Sequence, residues 1–422
     1  MGVEVFFSYS HRDEDLRDEL EKHLSNLKHQ GVIEAWHDRR IDAGSEWAKS
    51  IDARLNAAHV ILLLVSADFL ASQYCYDHED RYDLELKQAL ERHQMGEALV
   101  IPVILRPVDW QDAPFGKLQP LPKDGKAVTI WENRDEAFLN VAQGIRQTVQ
   151  YLGEKLEANR QASRTKLYKA LLKLGYRQQV RLFRKAVETE SIAAFLIHGL
   201  PEHGQRWLLN RLAVKYVDCY LNSKRVVVNP GRLVRRTDAS ALWRELGGQL
   251  GVKGLQPSRE DIAQKAYQCW LTQDVIFVIH DVNILPEVAV CDLIDNFWLP
   301  LSRQVKNAAS PSQTRKLLLF LVDYEGEAER WNIPCVEKLD SNWDGQQPIK
   351  PPKLREFTDS DLENWLEDHH GDLPSDLTRG IDEKVDEILE NSDQGIPELA
   401  FREICERCGY DWYEEREKWL NL

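Results

Sequence analysis

Two stretches of this chain carry residues whose types and spacing could do chemistry. In the first, the apolar run Val5-Phe6-Phe7 ends in Ser8, Tyr9 and Ser10, then turns into the charged segment His11-Arg12-Asp13-Glu14. Open α/β sheets bind ligands in the crevice at the carboxyl ends of their strands, so hydroxyls placed there point to a pocket. In the second stretch, Phe195-Leu196-Ile197-His198 runs into Gly199-Leu200-Pro201-Glu202-His203-Gly204-Gln205-Arg206. Gly199 and Gly204 have the spacing of a phosphate-binding loop. Such a loop continues with a lysine for the terminal phosphates and a hydroxyl for magnesium. Gln205 and Arg206 stand in those places. Arg206 offers phosphate a charge but cannot ligate magnesium. Asp281, after the apolar run 275–280, supplies a carboxylate that does not restore the missing pair. Cys405-Glu406-Arg407-Cys408 has no second pair and no histidine pair at zinc spacing, so two half-buried helical thiols are expected rather than a metal site. His198 and His203 flank the loop, also without a partner at metal-ligand spacing, and read as structural or nucleotide-adjacent.

Alternating strand-like and helix-like segments position these residues. The pattern predicts a strand over 3–9 and an amphipathic helix over 13–29 with Leu16, Leu20, Leu24 and Leu27 on one face. A short strand over 32–36, a loop over 38–45 and a helix over 46–57 follow. The β-branched and leucine run 60–66 fits a strand buried on both faces. A helix over 84–92, strands over 98–105 and 127–131, and a helix from 135 to about 152 complete five strands interleaved with helices, which means a parallel sheet covered on both sides. Residues 153–165 are polar and read as a helical linker. Beyond them the pattern predicts a helix over 166–187, strands over 193–198, 225–229, 275–280 and 317–322, and an acidic helical region from 357 onward. The expected division is 1–152, 153–165, 166–356 and 357–422, with no repeat of fixed period.

The chain has 422 residues, enough for two or three cores. A formal net charge of −15 argues against general nucleic-acid binding, which needs basic surface to neutralise phosphates. Seven scattered cysteines suit a reducing compartment. No apolar run has the length of a membrane span, and the start shows no basic-then-apolar leader. Phe6 stands where a myristoylation signal wants Ser or Thr. These features lead us to expect a cytoplasmic protein with no membrane partner.

Several blocks then carry a family resemblance. Phe6-Phe7-Ser8-Tyr9-Ser10, Trp36-His37-Asp38-Arg39, Gly44-Ser45-Glu46-Trp47, Leu63-Leu64-Val65-Ser66, Phe69-Leu70-Ala71-Ser72, Tyr74-Cys75 and Ile101-Pro102-Val103-Ile104-Leu105 together resemble a bacterial TIR domain, over roughly the first third of the chain. The resemblance implies a flavodoxin-like parallel sheet and cleavage of the nicotinamide–ribose bond of NAD+, with NAD+ as substrate and no cofactor or metal. It implies substrate contacts at Ser8, Tyr9, Ser10, Trp36, Asp38, Arg39, Gly44 and Ser66. Each has a structural alternative: Tyr9 could pack beneath the sheet, Ser10 could cap a helix, Trp36 and Trp47 could be core aromatics, and Asp38 and Arg39 could be a solvated pair. The family places one glutamate at the start of the helix after the Tyr-Cys pair. Here Glu79 and Glu85 compete. Counting from Tyr74-Cys75 picks Glu79, whereas the register of Leu86, Ala89 and Leu90 picks Glu85, which we favour because short insertions are absorbed in loops. The family's loop after the second strand also closes the pocket and mediates contacts between copies. It commonly carries Pro-Gly, where this chain has Ala43-Gly44 and so a less rigid turn.

The region from Lys166 onward, with Tyr176-Arg177-Gln178-Gln179-Val180 ahead of the incomplete loop, resembles the inactive STAND-type NTPase modules of bacterial conflict proteins. This implies a sensor or assembly module that does not hydrolyse ATP. The combined expectation is an anti-phage NAD+ hydrolase, switched on by homo-oligomerisation through TIR–TIR contacts when an unidentified trigger reaches the carboxyl-terminal domain. The alternatives are a non-enzymatic TIR scaffold and a TIR cyclase that makes a cyclic ADP-ribose signal.

Overall fold

Four apolar runs of the amino-terminal region pair side by side in the computed structural model. The structure describes residues 2–36, 53–73, 81–217, 220–232, 239–252, 254, 257–309, 315–340 and 342–420. Strands β1 (Val3–Tyr9), β2 (Ile33–Trp36), β3 (Val60–Val65) and β4 (Leu99–Ile104) form a parallel sheet in the order β2-β1-β3-β4. The register sets Ser8 against Leu63 and Tyr9 against Leu64. Every residue of β3 is buried, as a central strand covered on both faces requires. Each such aliphatic side chain contributes roughly 1.5–3 kcal/mol relative to exposure.

Side chains alternate across the sheet. One face carries Val5, Phe7, Tyr9, Leu62 and Leu64 under Leu16, Leu20, Leu24 and Leu27 and under Phe138, Val141 and Ile145. The other carries Phe6, Ile61, Leu63 and Val65 under Phe69, Leu86, Ala89 and Phe115. The stretch expected as one helix over 13–29 is a 3-10 turn, His11–Asp13, followed by helices Glu14–His23 and Ser25–His29. Its four leucines are all buried.

The expected fifth strand over 127–131 is a correction. Among the described residues, that segment is a 3-10 turn, Val128–Ile130, and the sheet has four strands. The outer edge of β4 is taken by Leu121, whose carbonyl accepts from the Ile104 N–H (2.8 Å) and whose N–H donates to the Pro102 carbonyl (2.8 Å). Residues 127–131 meet the chain just past the end of β4, where the Thr129 N–H donates to the Leu105 carbonyl (3.0 Å).

Tertiary contacts divide the chain into Met1–Ala162 and Ser163–Leu422. Residues 153–165 lie inside a single helix, Arg134–Leu171. The helix expected over 166–187 is therefore broken. The chain leaves helical geometry at Gly175 (φ 63°) and Tyr176 (φ 55°) and resumes as the helix Arg177–Thr189. A Cβ at Gly175 would lie 2.2 Å from the Phe357 ring, so only glycine fits this turn.

The second unit is built on β5 (Ile192–His198), β6 (Lys224–Val228), β7 (Val275–Ile279) and β8 (Leu317–Asp323), all parallel in the order β5-β8-β7-β6. The free side of β5 is covered by residues 349–354, through Ile349 N–H to Ala194 O (2.9 Å) and Leu354 N–H to His198 O (2.8 Å). Helices Asp359–Asp368, Ile381–Asn391, Pro397–Arg407 and Trp412–Trp419 form the helical carboxyl-terminal region. Its Leu362, Trp365, Phe401, Trp412 and Trp419 share one core with Phe195, Phe320 and Trp207.

Candidate functional site

In a parallel sheet ordered 2-1-3-4, the crevice opens where neighbouring connections diverge, at the carboxyl ends of β1 and β3. The sequence places hydroxyls at both ends, Ser8-Tyr9-Ser10 on β1 and Ser66 after β3, and the structure gives each a different environment. Ser8 is 5% exposed, on the face that receives Leu86 and Ala89. Its Oγ is buried with no hydrogen-bond partner among the described residues. Tyr9 faces the opposite side, where the Arg17 guanidinium lies 4.9 Å over its ring. Ser10 caps the following 3-10 turn, accepting from the Arg12 N–H at 3.5 Å. Ser66 is fully buried. Its hydroxyl donates to Asp13 Oδ2 and accepts from the Phe69 N–H (3.0 Å), closing the start of the helix Ala67–Gln73.

Glu85 lies on the helix Arg81–Met95, one residue before the core-facing Leu86, and is 6% exposed. The same helix packs Leu86 and Ala89 on the sheet face that holds Ser8. Trp36 ends β2. Asp38, Arg39, Gly44, Trp47, Tyr74, Cys75 and Glu79 lie outside the described residues.

A polar cluster that sequence reasoning missed sits at the same edge. Asp13 is 0% exposed and meets Arg106 Nε at 3.0 Å through Oδ1. Arg106 also approaches Asp68 at 3.6 Å, Asp68 pairs with Arg12 at 2.9 Å, and an Arg106 N–H reaches the Arg12 carbonyl at 3.3 Å. The available signals were the Ser-x-x-Asp spacing of Ser10 and Asp13, which reads as a cap, and an arginine two residues past β4.

Burial raises the Asp13 carboxyl above its ordinary 3.8, against the lowering effects of the Ser66 hydrogen bond and the Arg106 charge. The native state then holds a proton that the unfolded chain has released. This group's stabilising contribution is complete below the unfolded value and is lost as pH rises through the raised one. Asp13→Asn is expected to remove that dependence. The stability of wild type relative to the variant should fall in denaturant titrations as pH rises above the ordinary carboxylate range and through the raised value.

The incomplete phosphate loop is closed from within. The Gln205 amide, where the phosphate lysine would be, donates to the carbonyls of Gly199 (3.0 Å) and Leu200 (2.8 Å). Tyr176 Oη donates to the His203 carbonyl at 2.9 Å, and a Cβ on Gly204 would lie 2.0 Å from that hydroxyl. Gly199 is covered by Leu354, whose Cβ would be 2.9 Å from an added methyl. Arg206 pairs with Glu417 at 3.4 Å, on the last helix. Asp281 takes a left-handed conformation (φ 47°) at the start of the turn Val282–Ile284. His198 Nε2 lies 2.8 Å from the Pro351 carbonyl, and burial lowers its pKa. His203 bridges the Pro201 carbonyl and Glu356.

Cys405 is fully buried and Cys408 partly so. Desolvation pushes the Cys408 thiol up to about 12 and Cys405 higher still. Neither is a ready thiolate. Among the described residues, no cluster could hold a metal ion, and no helix is long and apolar enough to cross a membrane.

A parallel sheet with a polar crevice at its β1/β3 edge, joined to a second sheet with an incomplete phosphate loop, defines the class. Residues 5–139 match the TIR domain family model and residues 171–323 match the inactive STAND model, so the chain is a TIR domain fused to an inactive STAND module. The combination supports a TIR-type signalling or defence effector. Among curated proteins, the uncharacterized protein y4lF of Sinorhizobium fredii is 60% identical over 143 residues. That match covers 34% of this chain and 42% of the relative, so the chain spans about two fifths of the relative's length.

Proposed function

We propose that the TIR domain hydrolyses the nicotinamide–ribose bond of NAD+ and that the second domain controls it by driving self-association in response to a trigger. The observation that carries this reading is Glu85, a carboxylate 6% exposed on the helix that covers the sheet face where Ser8 is buried, its hydroxyl without a partner among the described residues. Breaking an N-glycosidic bond develops oxocarbenium charge on the ribose. A fixed carboxylate stabilises that charge best where water is excluded. Ser8 serves as a hydroxyl partner for the substrate, and the loop over 38–45 completes the pocket on assembly, bringing Asp38, Arg39 and Gly44 to it. The proposed division of labour is residues 1–152 for catalysis and 166–422 for sensing, in a cytoplasmic anti-phage role.

The test is nicotinamide release from NAD+ by the purified chain, alone and fused to an oligomer-forming partner. Release that appears on assembly and disappears when both Glu79 and Glu85 are replaced supports the reading. No release under any assembly, or release indifferent to those replacements, leaves the TIR scaffold as the function. Chromatography of the product separates hydrolysis from cyclisation.

Two further outcomes are expected. Ser8→Ala should leave unfolding free energy unchanged or raise it by up to about 1 kcal/mol, because an unmatched buried hydroxyl contributes nothing to the fold. The same variant should slow NAD+ cleavage, a combination read by denaturation and nicotinamide assay together. Mg-ATP should neither shift the melting temperature nor be hydrolysed, since Gln205, Tyr176 and Leu354 occupy the loop.

A further inference from the structure

Away from both loops, the second unit holds a pocket of about 320 Å³ lined by the start of the helix Arg177–Thr189 and by the helix Asp359–Asp368. One side of it is cationic. Lys173 and Arg177 line it, both exposed, and neither has a hydrogen-bond or ion-pair partner among the described residues. Between them the chain turns through Gly175, and the helix begins with no side chain capping its first amides. Uncapped amides at a helix start carry the positive end of its dipole and favour an anion.

The rest of the lining accepts hydrogen bonds. His369 lines the pocket, is 4% exposed, and stacks on Trp365 at 5.8 Å. Its Nδ1 lies 2.8 Å from the Trp365 carbonyl oxygen and so carries the ring proton. In the neutral ring Nε2 is then a buried acceptor, and it has no partner among the described residues. Buried polar atoms in native proteins are normally matched, so this one asks for a donor. Two carboxylates share the lining. Asp361 is held by the Thr358 hydroxyl (2.9 Å) and Arg355 (3.5 Å), whereas Asp368 is exposed without a partner among the described residues.

We infer that this pocket binds a small phosphate monoester bearing free hydroxyls, of the sugar-phosphate or ribonucleotide class. The phosphate sits on the uncapped amides between Lys173 and Arg177, where charge-assisted hydrogen bonds are strongest. A ligand hydroxyl donates to His369 Nε2, and another to Asp368. This division accounts for cations and acceptors sharing one pocket. A volume of about 320 Å³ is at the small end for ligand pockets and suits one phosphorylated sugar unit rather than a dinucleotide. The inference is independent of the NAD+ reading, because none of these residues belongs to the TIR domain or to the loop 199–206.

Calorimetric titration of the full chain with ribose 5-phosphate, against inorganic phosphate as the control, tests it. The expected result is saturable binding of ribose 5-phosphate at least about tenfold tighter than inorganic phosphate, weakened about tenfold by either Lys173→Ala or Arg177→Ala. Both positions are exposed, so these variants keep their fold. His369→Phe, which preserves the stack on Trp365 and removes Nε2, should weaken ribose 5-phosphate and leave inorganic phosphate unchanged. The inference is overturned by an absence of binding up to about 10 mM, by binding indifferent to the Lys173 and Arg177 replacements, or by equal affinity for inorganic phosphate.

Discussion

Glu85→Gln is expected to lower nicotinamide release from NAD+ by about 10²–10³-fold while the protein stays folded. Glutamine keeps the volume and a carbonyl acceptor but removes the negative charge, so the loss falls on the transition state, where positive charge on the ribose is largest. The effect should appear in kcat with little change in KM, which separates electrostatic stabilisation from substrate binding. Glu79→Gln is the paired measurement. If it carries the loss and Glu85→Gln does not, the catalytic carboxylate is the one counted from Tyr74-Cys75, and Glu85 is a buried structural group. The assay must be run on the assembled form, because activation by self-association is part of the same proposal.

The second large effect is on stability. Trp207→Ala should destabilise the second unit by about 3–5 kcal/mol, read from chemical denaturation. Trp207 is 0% exposed on the helix Gln205–Tyr216 that follows the incomplete loop. Its ring packs 5.2 Å from Phe401, 5.3 Å from Trp412, 6.1 Å from Trp419 and 5.9 Å from Tyr168. Truncation would leave a cavity among four aromatic rings from three separate segments, which cannot all collapse into it. The carboxyl-terminal helices should consequently melt together with the β5–β8 sheet, as one cooperative transition. In an active nucleotide-binding loop the start of this helix serves a phosphate. Here the helix anchors the helical region, with Arg206 turned to Glu417 at its last element.

Much of the architecture was legible from local pattern. The runs over 60–66 and 317–322 are strands because continuous aliphatic and aromatic side chains need cover on both faces. The run over 127–131, Ala-Val-Thr-Ile-Trp, is also β-branched yet forms a turn, and Leu121 pairs with β4 instead. Similarly, Leu167 and Leu171 suggested a helix continuing to 187. It breaks where Gly175 and Tyr176 take positive φ, and the Phe357 ring, distant in the chain, leaves no room for a side chain at Gly175.

By itself, the sequence determined where the strands end, which hydroxyls stand at those ends, and that the loop 199–206 lacks its lysine and magnesium ligand. Those facts follow from local periodicity and from residue identity, which need no partner to be read. Even the opposed directions of Ser8 and Tyr9 are implicit in period-two alternation. Only the tertiary structure decided which face receives the helix bearing Glu85, that Ser66 is joined to Asp13 across 53 residues, and that Arg206 meets Glu417 across 211. It also decided that His369 and Lys173 share a pocket. The reason is physical. A buried carboxylate or imidazole is matched by whatever group the strand order and helix packing bring within 3 Å, and no spacing along the chain encodes that distance.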